Sequence, residues 1–99
     1  METAAAFEAL RVRAEGVARD ISGMELIEGG EYDTSYDIYV EELEGTLFGV
    51  IDMGDLYHEV FTWQDGEWEL ALAPAGSIAT NYAFEVEDKI LAKRRGGGF

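Results

Sequence analysis

Hydrophobic residues recur every three or four positions near the start of the chain, and at every second position through most of its middle. A spacing of three or four places apolar side chains on one face of a helix. The apolar residues of the first segment are Phe7, Leu10, Ala14, Val17 and Ile21. Thr3 is suited to cap this segment, and Ser22-Gly23 is suited to end it. We therefore predict an amphipathic N-terminal helix.

After Gly23 the period of two predicts β-strands, in which successive side chains point to opposite faces of a sheet. The predicted strands, the first of them short, cover residues 24–28, 36–41, 47–52, 56–64 and 68–73. Turns are predicted at Glu44-Gly45 and Gly54-Asp55, where short polar or glycine-containing pairs separate the strands. The order of strands and turns indicates an antiparallel meander.

The pair Asp65-Gly66 is the strongest turn signal in the chain, because both residues readily adopt the positive φ angles of a two-residue hairpin. The strand that follows it alternates between apolar and acidic residues. Three apolar residues of this strand are expected to face the core: Trp68, Leu70 and Leu72. The two acidic residues that alternate with them, Glu67 and Glu69, are expected to face the solvent.

Residues 78–90 fit a helix, with apolar residues four apart, but the stretch from Tyr82 to Val86 also alternates as in a strand. The helix is favoured because Lys89, Lys93, Arg94 and Arg95 would lie at the negative end of its dipole. The predicted fold class is α+β, with an N-terminal helix, a four- to five-stranded antiparallel meander and a C-terminal helix. One domain is expected over residues 1–95, followed by a flexible glycine-rich tail at 96–99. Such a sheet can be covered on one face and exposed on the other.

Charge is distributed very unevenly along the chain. The segment from Asp20 to Asp88, called here the acidic segment, contains eighteen Asp and Glu residues and no Lys or Arg, and all seven bases lie outside it. The apolar fraction of 47% is too high for a disordered acidic tail. The acids are therefore expected on the polar face and turns of a folded sheet, which would form one negative face, with the bases on the two helices.

Few residues in the chain are suited to catalysis. The chain has no Cys, which excludes disulfides, thiolate nucleophiles and cysteine metal sites. Its one histidine, His58, lies on a predicted strand and is interpreted as a surface residue or as one satisfied by a neighbour. We expect a protein without enzyme activity, cofactor or metal site. Weak calcium binding stays open at two groups of acids: Glu31, Asp33 and Asp37, and Asp52 and Asp55.

The sequence predicts a cytoplasmic protein that contacts neither membranes nor nucleic acid directly. No apolar run approaches the roughly twenty residues needed to cross a bilayer, and the first residues, Met1-Glu2-Thr3, form no basic leader. A nucleic-acid duplex would repel the acidic segment, because the duplex is itself densely negative.

The same charge suggests binding to a basic protein. Carboxylates at alternate positions of a strand form a row spaced about 6–7 Å apart. Aromatic residues among the acids could anchor a partner, as Tyr and Trp often do; they are Tyr32, Tyr39, Tyr57 and Trp63. The residues predicted to bind the partner are Asp33, Asp37, Tyr39, Glu41, Glu42, Glu44, Asp52, Asp55, Glu67 and Glu69.

In size, charge and its mixture of acids with aromatics, the chain resembles the small acidic inhibitors that phages direct at nucleic-acid machinery, such as anti-CRISPR and anti-restriction DNA mimics. The resemblance implies a non-enzymatic protein that blocks a nuclease or nucleic-acid-binding complex by phosphate mimicry. Two alternatives are an acidic immunity protein that neutralises a nuclease toxin, and a halophilic domain whose acidic surface has no specific partner. A dimer in which the basic ends dock on the acidic segment also stays open.

Overall fold

The fold is α+β, as the sequence predicts. The computed structural model describes the backbone of residues 3–28, 34–76 and 79–96, and the side chains of 3–23, 34–76 and 81–96. Its elements are α1 (Thr3–Glu28), β1 (Asp37–Leu43), β2 (Thr46–Asp52), β3 (His58–Gln64), β4 (Glu67–Leu70) and α2 (Ala79–Gly96). The strands form one antiparallel sheet in the order β1-β2-β3-β4, which is the predicted meander. The ambiguous C-terminal segment is helical.

The two helices pack on opposite faces of the sheet. On one face, α1 buries its residues against a large cluster that includes Ile51 and Phe61. On the other face, α2 packs against Val50 and Val60. Strand β2 is buried on both sides, and its nearly continuous apolar run is typical of such a strand. The expectation of one sheet face exposed along its whole width is therefore wrong.

Close packing between α1 and the sheet depends on a glycine in the middle of β2. A Cβ atom added to Gly49 would lie 2.8 Å from Cδ2 of Leu10 and 2.9 Å from Cη2 of Trp68. Both distances are shorter than Cβ atoms show in proteins, so any other residue would force Leu10 or Trp68 to shift. The indole of Trp68 also donates a hydrogen bond of 2.7 Å from Nε1 to the carbonyl oxygen of Ala6 in α1. Gly49 and Trp68 together fix where α1 lies on the sheet.

Helix α1 is longer than predicted and uses a slightly different face. It continues through Ser22-Gly23 to Glu28, so the predicted short strand at 24–28 is wrong. A helix can include one Gly at a cost of about 1 kcal/mol relative to Ala, and Met, Glu and Leu beyond it are good helix formers. Phe7, expected in the core, is 43% exposed, whereas Ala6 is fully buried. The small Ala6 side chain allows the close approach to Trp68.

The edge strand β4 is shorter than predicted, and part of its apolar pattern is exposed. Trp68 is buried as expected, but Leu70 is 54% exposed and Leu72 is 88% exposed. The strand ends at Leu70, so Leu72 lies beyond the paired region. Glu67 and Glu69 face the solvent, as predicted. The inward placement of Leu70 and Leu72 is therefore a wrong prediction.

Two tight turns lie at the same end of the sheet. Glu44-Gly45 joins β1 to β2, Asp65-Gly66 joins β3 to β4, and all four residues have positive φ. This combination is that of type I′ turns, whose twist matches the twist of the strands they connect. Both predicted hairpins are confirmed. The turn at Gly54-Asp55 lies at the opposite end of the meander.

Cationic side chains from the helices bind both free edges of the sheet. In an antiparallel pair, alternate residues of an edge strand point their backbone groups away from the neighbouring strand. On β1, Lys93 donates to the carbonyl oxygen of Glu42 at 2.6 Å, and Arg94 donates to that of Val40 at 2.9 Å. On β4, Arg13 donates to the carbonyl oxygen of Trp68 at 3.3 Å. These contacts protect edges that could otherwise pair with other chains.

The role of Gly49 in close packing can be tested by Gly49→Ala. The added methyl group would clash with Leu10 and Trp68, so we expect a loss of about 1–3 kcal/mol in the free energy of unfolding. Gly16→Ala, in helix α1, is the matched control, because a Cβ atom added at Gly16 meets nothing within 4 Å. The control should gain about 0.5–1 kcal/mol from helix propensity. Urea denaturation of both variants gives the comparison, and an equally stable Gly49→Ala protein would contradict the close-packing argument.

Candidate functional site

The predicted partner-binding residues do not form one surface. Asp33 lies outside the described residues. Tyr39 is half-buried against the α2 cluster, and Arg94 stands over its ring at 5.8 Å. Burial, and then the negative charge of nearby carboxylates, raise the pKa of Tyr39 above its ordinary value. Tyr39 therefore contributes to packing under α2.

Glu41 is held by the basic end of α2. Its carboxylate lies 3.2 Å from Nζ of Lys93 and 3.4 Å from Nε of Arg94. Burial alone would raise the pKa of Glu41, but the hydrogen bonds and charges of Lys93 and Arg94 outweigh burial and hold the pKa below its ordinary value. The carboxylate is thus already neutralised within the molecule.

Asp52 belongs to a half-buried cluster beneath α2. It is the cross-strand partner of His58, and both side chains point to the α2 face, where they meet Glu87. Nε2 of His58 lies 3.1 Å from Oε1 of Glu87 and 4.0 Å from Oδ2 of Asp52. His58 is only 8% exposed in its side chain, and the ring of Phe84 packs against it with its plane nearly perpendicular. Of the two interpretations of His58, the structure supports a contact with a neighbour over a surface position, and this contact involves Nε2.

The electrostatics of this cluster differ from those of Glu41. Burial raises the pKa of Glu87, and the hydrogen bond with Asp52 raises it further, while His58 partly offsets both effects. Glu87 therefore takes up a proton more readily than an isolated carboxylate would. Oδ1 of Asp52 also accepts a hydrogen bond of 2.8 Å from the backbone N–H of Gly54. A divalent cation could be held by these three side chains.

The remaining predicted acids lie toward the two ends of the sheet. Glu44 is exposed in the β1–β2 turn, and Glu42 beside it is half-buried. These two line a pocket of about 550 Å³ together with Lys89 and Lys93 of α2, so bases stand close to them. Asp37 and Asp55 are exposed at the opposite end, about 20 Å away along a seven-residue strand.

The hairpin that contains β4 carries three exposed acids on an uncovered part of the sheet. We call Asp65, Glu67 and Glu69 the hairpin patch; all three are exposed. Helix α2 packs mainly on β1, β2 and β3, which leaves this side of β4 open. Within the described part of the chain, no Lys or Arg forms an ion pair with these three acids. The hairpin patch is therefore a group of neighbouring acids that is both exposed and uncovered by a helix.

Sequence reasoning missed two features of these sites. The turn signal of Asp65-Gly66 predicts a hairpin but does not indicate that the Asp65 carboxylate lies near those of Glu67 and Glu69. Glu87 is one of many acids, and nothing in the sequence links a residue of the last helix to Asp52 and His58. Tyr57 and Trp63, expected as exposed anchors, are partly buried against the α1 cluster. Tyr32 lies outside the described residues.

Comparison of the chain with known protein families, with curated proteins and with solved structures finds no match. None of the helices in the described residues is both long and apolar enough to cross a membrane.

The ion pairs of Glu41 predict a pH-dependent contribution to stability. Because the folded state lowers its pKa, Glu41 should stabilise the protein above its ordinary pKa of about 4.5, and this contribution should disappear as the pH falls through the lowered value. Both cations are about half exposed, so Glu41→Gln should lose at most about 1 kcal/mol at pH 7. Urea denaturation at pH 7 and pH 3 measures the effect. Glu42→Gln, on the next residue of the strand, is the control, and a deficit for Glu41→Gln that does not shrink in acid would refute the assignment.

Proposed function

We propose that the chain is a non-enzymatic acidic binding protein of the cytoplasm that blocks a basic, nucleic-acid-handling protein by occupying its phosphate-binding surface, in the manner of phage anti-CRISPR or anti-restriction inhibitors. The hairpin patch is the surface proposed to make the contact. The observation that carries the proposal is the separation of charge: several cations are bound by other groups of the molecule, whereas in the described residues no Lys or Arg pairs with the three acids of the patch.

Four of the seven bases are used within the molecule. Arg13 lies over the ring of Phe61 and binds a β4 carbonyl, and Lys93 and Arg94 bind β1. Arg11 pairs with Glu8 and Glu15 on the surface of α1. These cations are therefore less available to neutralise the acids of β4. The patch can attract an external basic surface, and this attraction should weaken as salt rises.

The spacing of the patch limits what it can imitate. Residues two apart on a strand lie about 6.6 Å apart, which is the spacing of Glu67 and Glu69 on β4, and Asp65 lies beyond them in the turn. One DNA strand carries a charge about every 3.4 Å along the helix axis. The two carboxylates on β4 are therefore spaced about twice as widely as the charges of one DNA strand. The hairpin patch fits a short phosphate-binding groove better than a long duplex channel.

Glu44 supplies a second, independent support. Its φ of 51° is unfavourable for Glu, whereas Asn, Asp and Gly are the usual residues at this position of a type I′ turn. Residues held in unfavourable backbone conformations are frequent at functional sites. A carboxylate retained at this cost suits a role in binding at the same end of the sheet as the patch.

The proposal predicts that charge reversal of the patch abolishes partner binding. The variant Asp65→Lys/Glu67→Lys/Glu69→Lys should lose capture of its partner from a host lysate and should no longer inhibit nucleic-acid binding by the purified partner. Asp37→Lys/Asp55→Lys, at the opposite end of the sheet, is the matched control and should retain both. Circular dichroism of each variant confirms folding before the comparison.

Three outcomes would count against the proposal. The folded triple variant could bind as well as the parent, or the captured protein could keep its nucleic acid in the presence of the chain. The chain could also be poorly folded at low salt and gain stability in molar salt, which would indicate salt adaptation in place of a specific partner.

The strain at Glu44 predicts that Glu44→Asn stabilises the protein. Asn tolerates the left-handed region better than Glu, so the free energy of unfolding should rise by about 0.5–1 kcal/mol. Asp65→Asn is the control, because Asp already tolerates this region and the change should be close to zero. Thermal melting of both variants is sufficient to compare them. If Glu44→Asn is no more stable than Asp65→Asn, the strain argument fails.

A further inference from the structure

Asp52, His58 and Glu87 come from the end of β2, the start of β3 and the middle of α2, and bring one ligand atom each into a group in which all atoms lie within 4.8 Å of one another. From this geometry we propose that the three side chains bind a divalent transition metal ion of the zinc class. The inference goes beyond the proposed function and does not depend on it.

The distances suit a small ion with little rearrangement. Zinc binds His nitrogen and carboxylate oxygen at about 2.0–2.2 Å, so neighbouring ligand atoms of a tetrahedral site lie roughly 3.3–3.6 Å apart. Nε2 of His58 is 3.1 Å from the oxygen of Glu87 and 4.0 Å from that of Asp52. Shifts of less than about 1 Å would bring all three atoms to bonding distance of one ion. The fourth position would be taken by water.

Two of the ligands are already oriented by their surroundings. The backbone N–H of Gly54 holds Oδ1 of Asp52 and leaves Oδ2 toward His58. The ring of Phe84, with its centroid 4.1 Å from that of His58, limits rotation of the imidazole. Such contacts behind the ligands are what orients residues in metal sites. The His58 side chain is also more than nine-tenths buried, with Nε2 facing the two carboxylates.

The charge of the cluster also favours a cation. Two carboxylates face each other beneath α2, and in the described residues neither forms an ion pair with Lys or Arg. A divalent ion would neutralise both. The imidazole selects among ions, because zinc and cobalt bind nitrogen well, whereas calcium requires six to eight oxygen ligands.

The environment of Nδ1 of His58 limits the expected affinity for the metal ion. Nδ1 is buried and has no hydrogen-bond partner in the structure as described. A metal-bound histidine normally donates this N–H to an acceptor, and loss of such a partner weakens metal binding by about 10–100-fold. With three protein ligands and this defect, we expect a dissociation constant in the micromolar range.

The test is a titration of the chelator-treated full chain with zinc chloride. Isothermal titration calorimetry should show one equivalent bound, and saturation should raise the melting temperature by several degrees. Cobalt chloride should give the visible absorption of a low-coordinate site. Calcium and magnesium chloride at the same concentrations should leave the melting temperature unchanged.

Glu87→Gln is the decisive variant, because it keeps the shape of the side chain and removes a buried charge, so it should fold. It should bind zinc at least tenfold more weakly than the parent. Glu85→Gln, on the exposed side of the same helix, should bind zinc like the parent. The proposal is overturned by equal zinc affinity of Glu87→Gln and Glu85→Gln, by the absence of a one-to-one complex, or by an equal response to calcium.

Discussion

The close contact between Gly49 and the indole of Trp68 determines how the molecule is assembled. Without a Cβ at Gly49, the indole and Leu10 can meet directly over the centre of β2. The same indole then binds the Ala6 carbonyl and fixes the position of α1. With α1 in place, Arg13 reaches the ring of Phe61 and the outer edge of β4. One face of the sheet is thereby filled, and α2 packs on the other.

The position of α2 then creates two opposite environments for carboxylates. Its basic last turn lies over β1, where Lys93 and Arg94 neutralise Glu41 and lower its pKa. One or two turns earlier, the same helix places Glu87 over Asp52 and His58, where burial and a like charge raise the pKa of Glu87. The difference follows from the sequence of α2, in which three basic residues are concentrated in the last turn. Glu87, nearer the middle of the helix, contacts His58 of β3 in place of a lysine or arginine.

Local patterns predicted most elements of the fold, but not the continuation of α1 through residues 24–28, and not the layers. The two hairpins follow from Glu44-Gly45 and Asp65-Gly66, whose turn chemistry is local. The placement of helices on both faces depends on contacts distant in sequence, such as Trp68 with Ala6. The alternation of β4 predicts a buried Leu70, but β4 is an edge strand with no neighbour beyond it, so Leu70 is exposed. The grouping of Glu87 with His58 is likewise a product of tertiary structure alone.

Covering both faces of the sheet limits how an acidic surface of this kind can work. Most aromatic residues of the acidic segment are drawn into the two cores, so they are not available as anchors. In the proposed complex the hairpin patch would supply charge, which speeds association more than it adds affinity. Leu70 and Leu72 are large exposed apolar residues at this edge of the sheet, although Leu70 points to the opposite face of β4 from Glu67 and Glu69. In the proposed complex, apolar contact would therefore have to be made around the edge of β4, and the three acids would select the partner that reaches it.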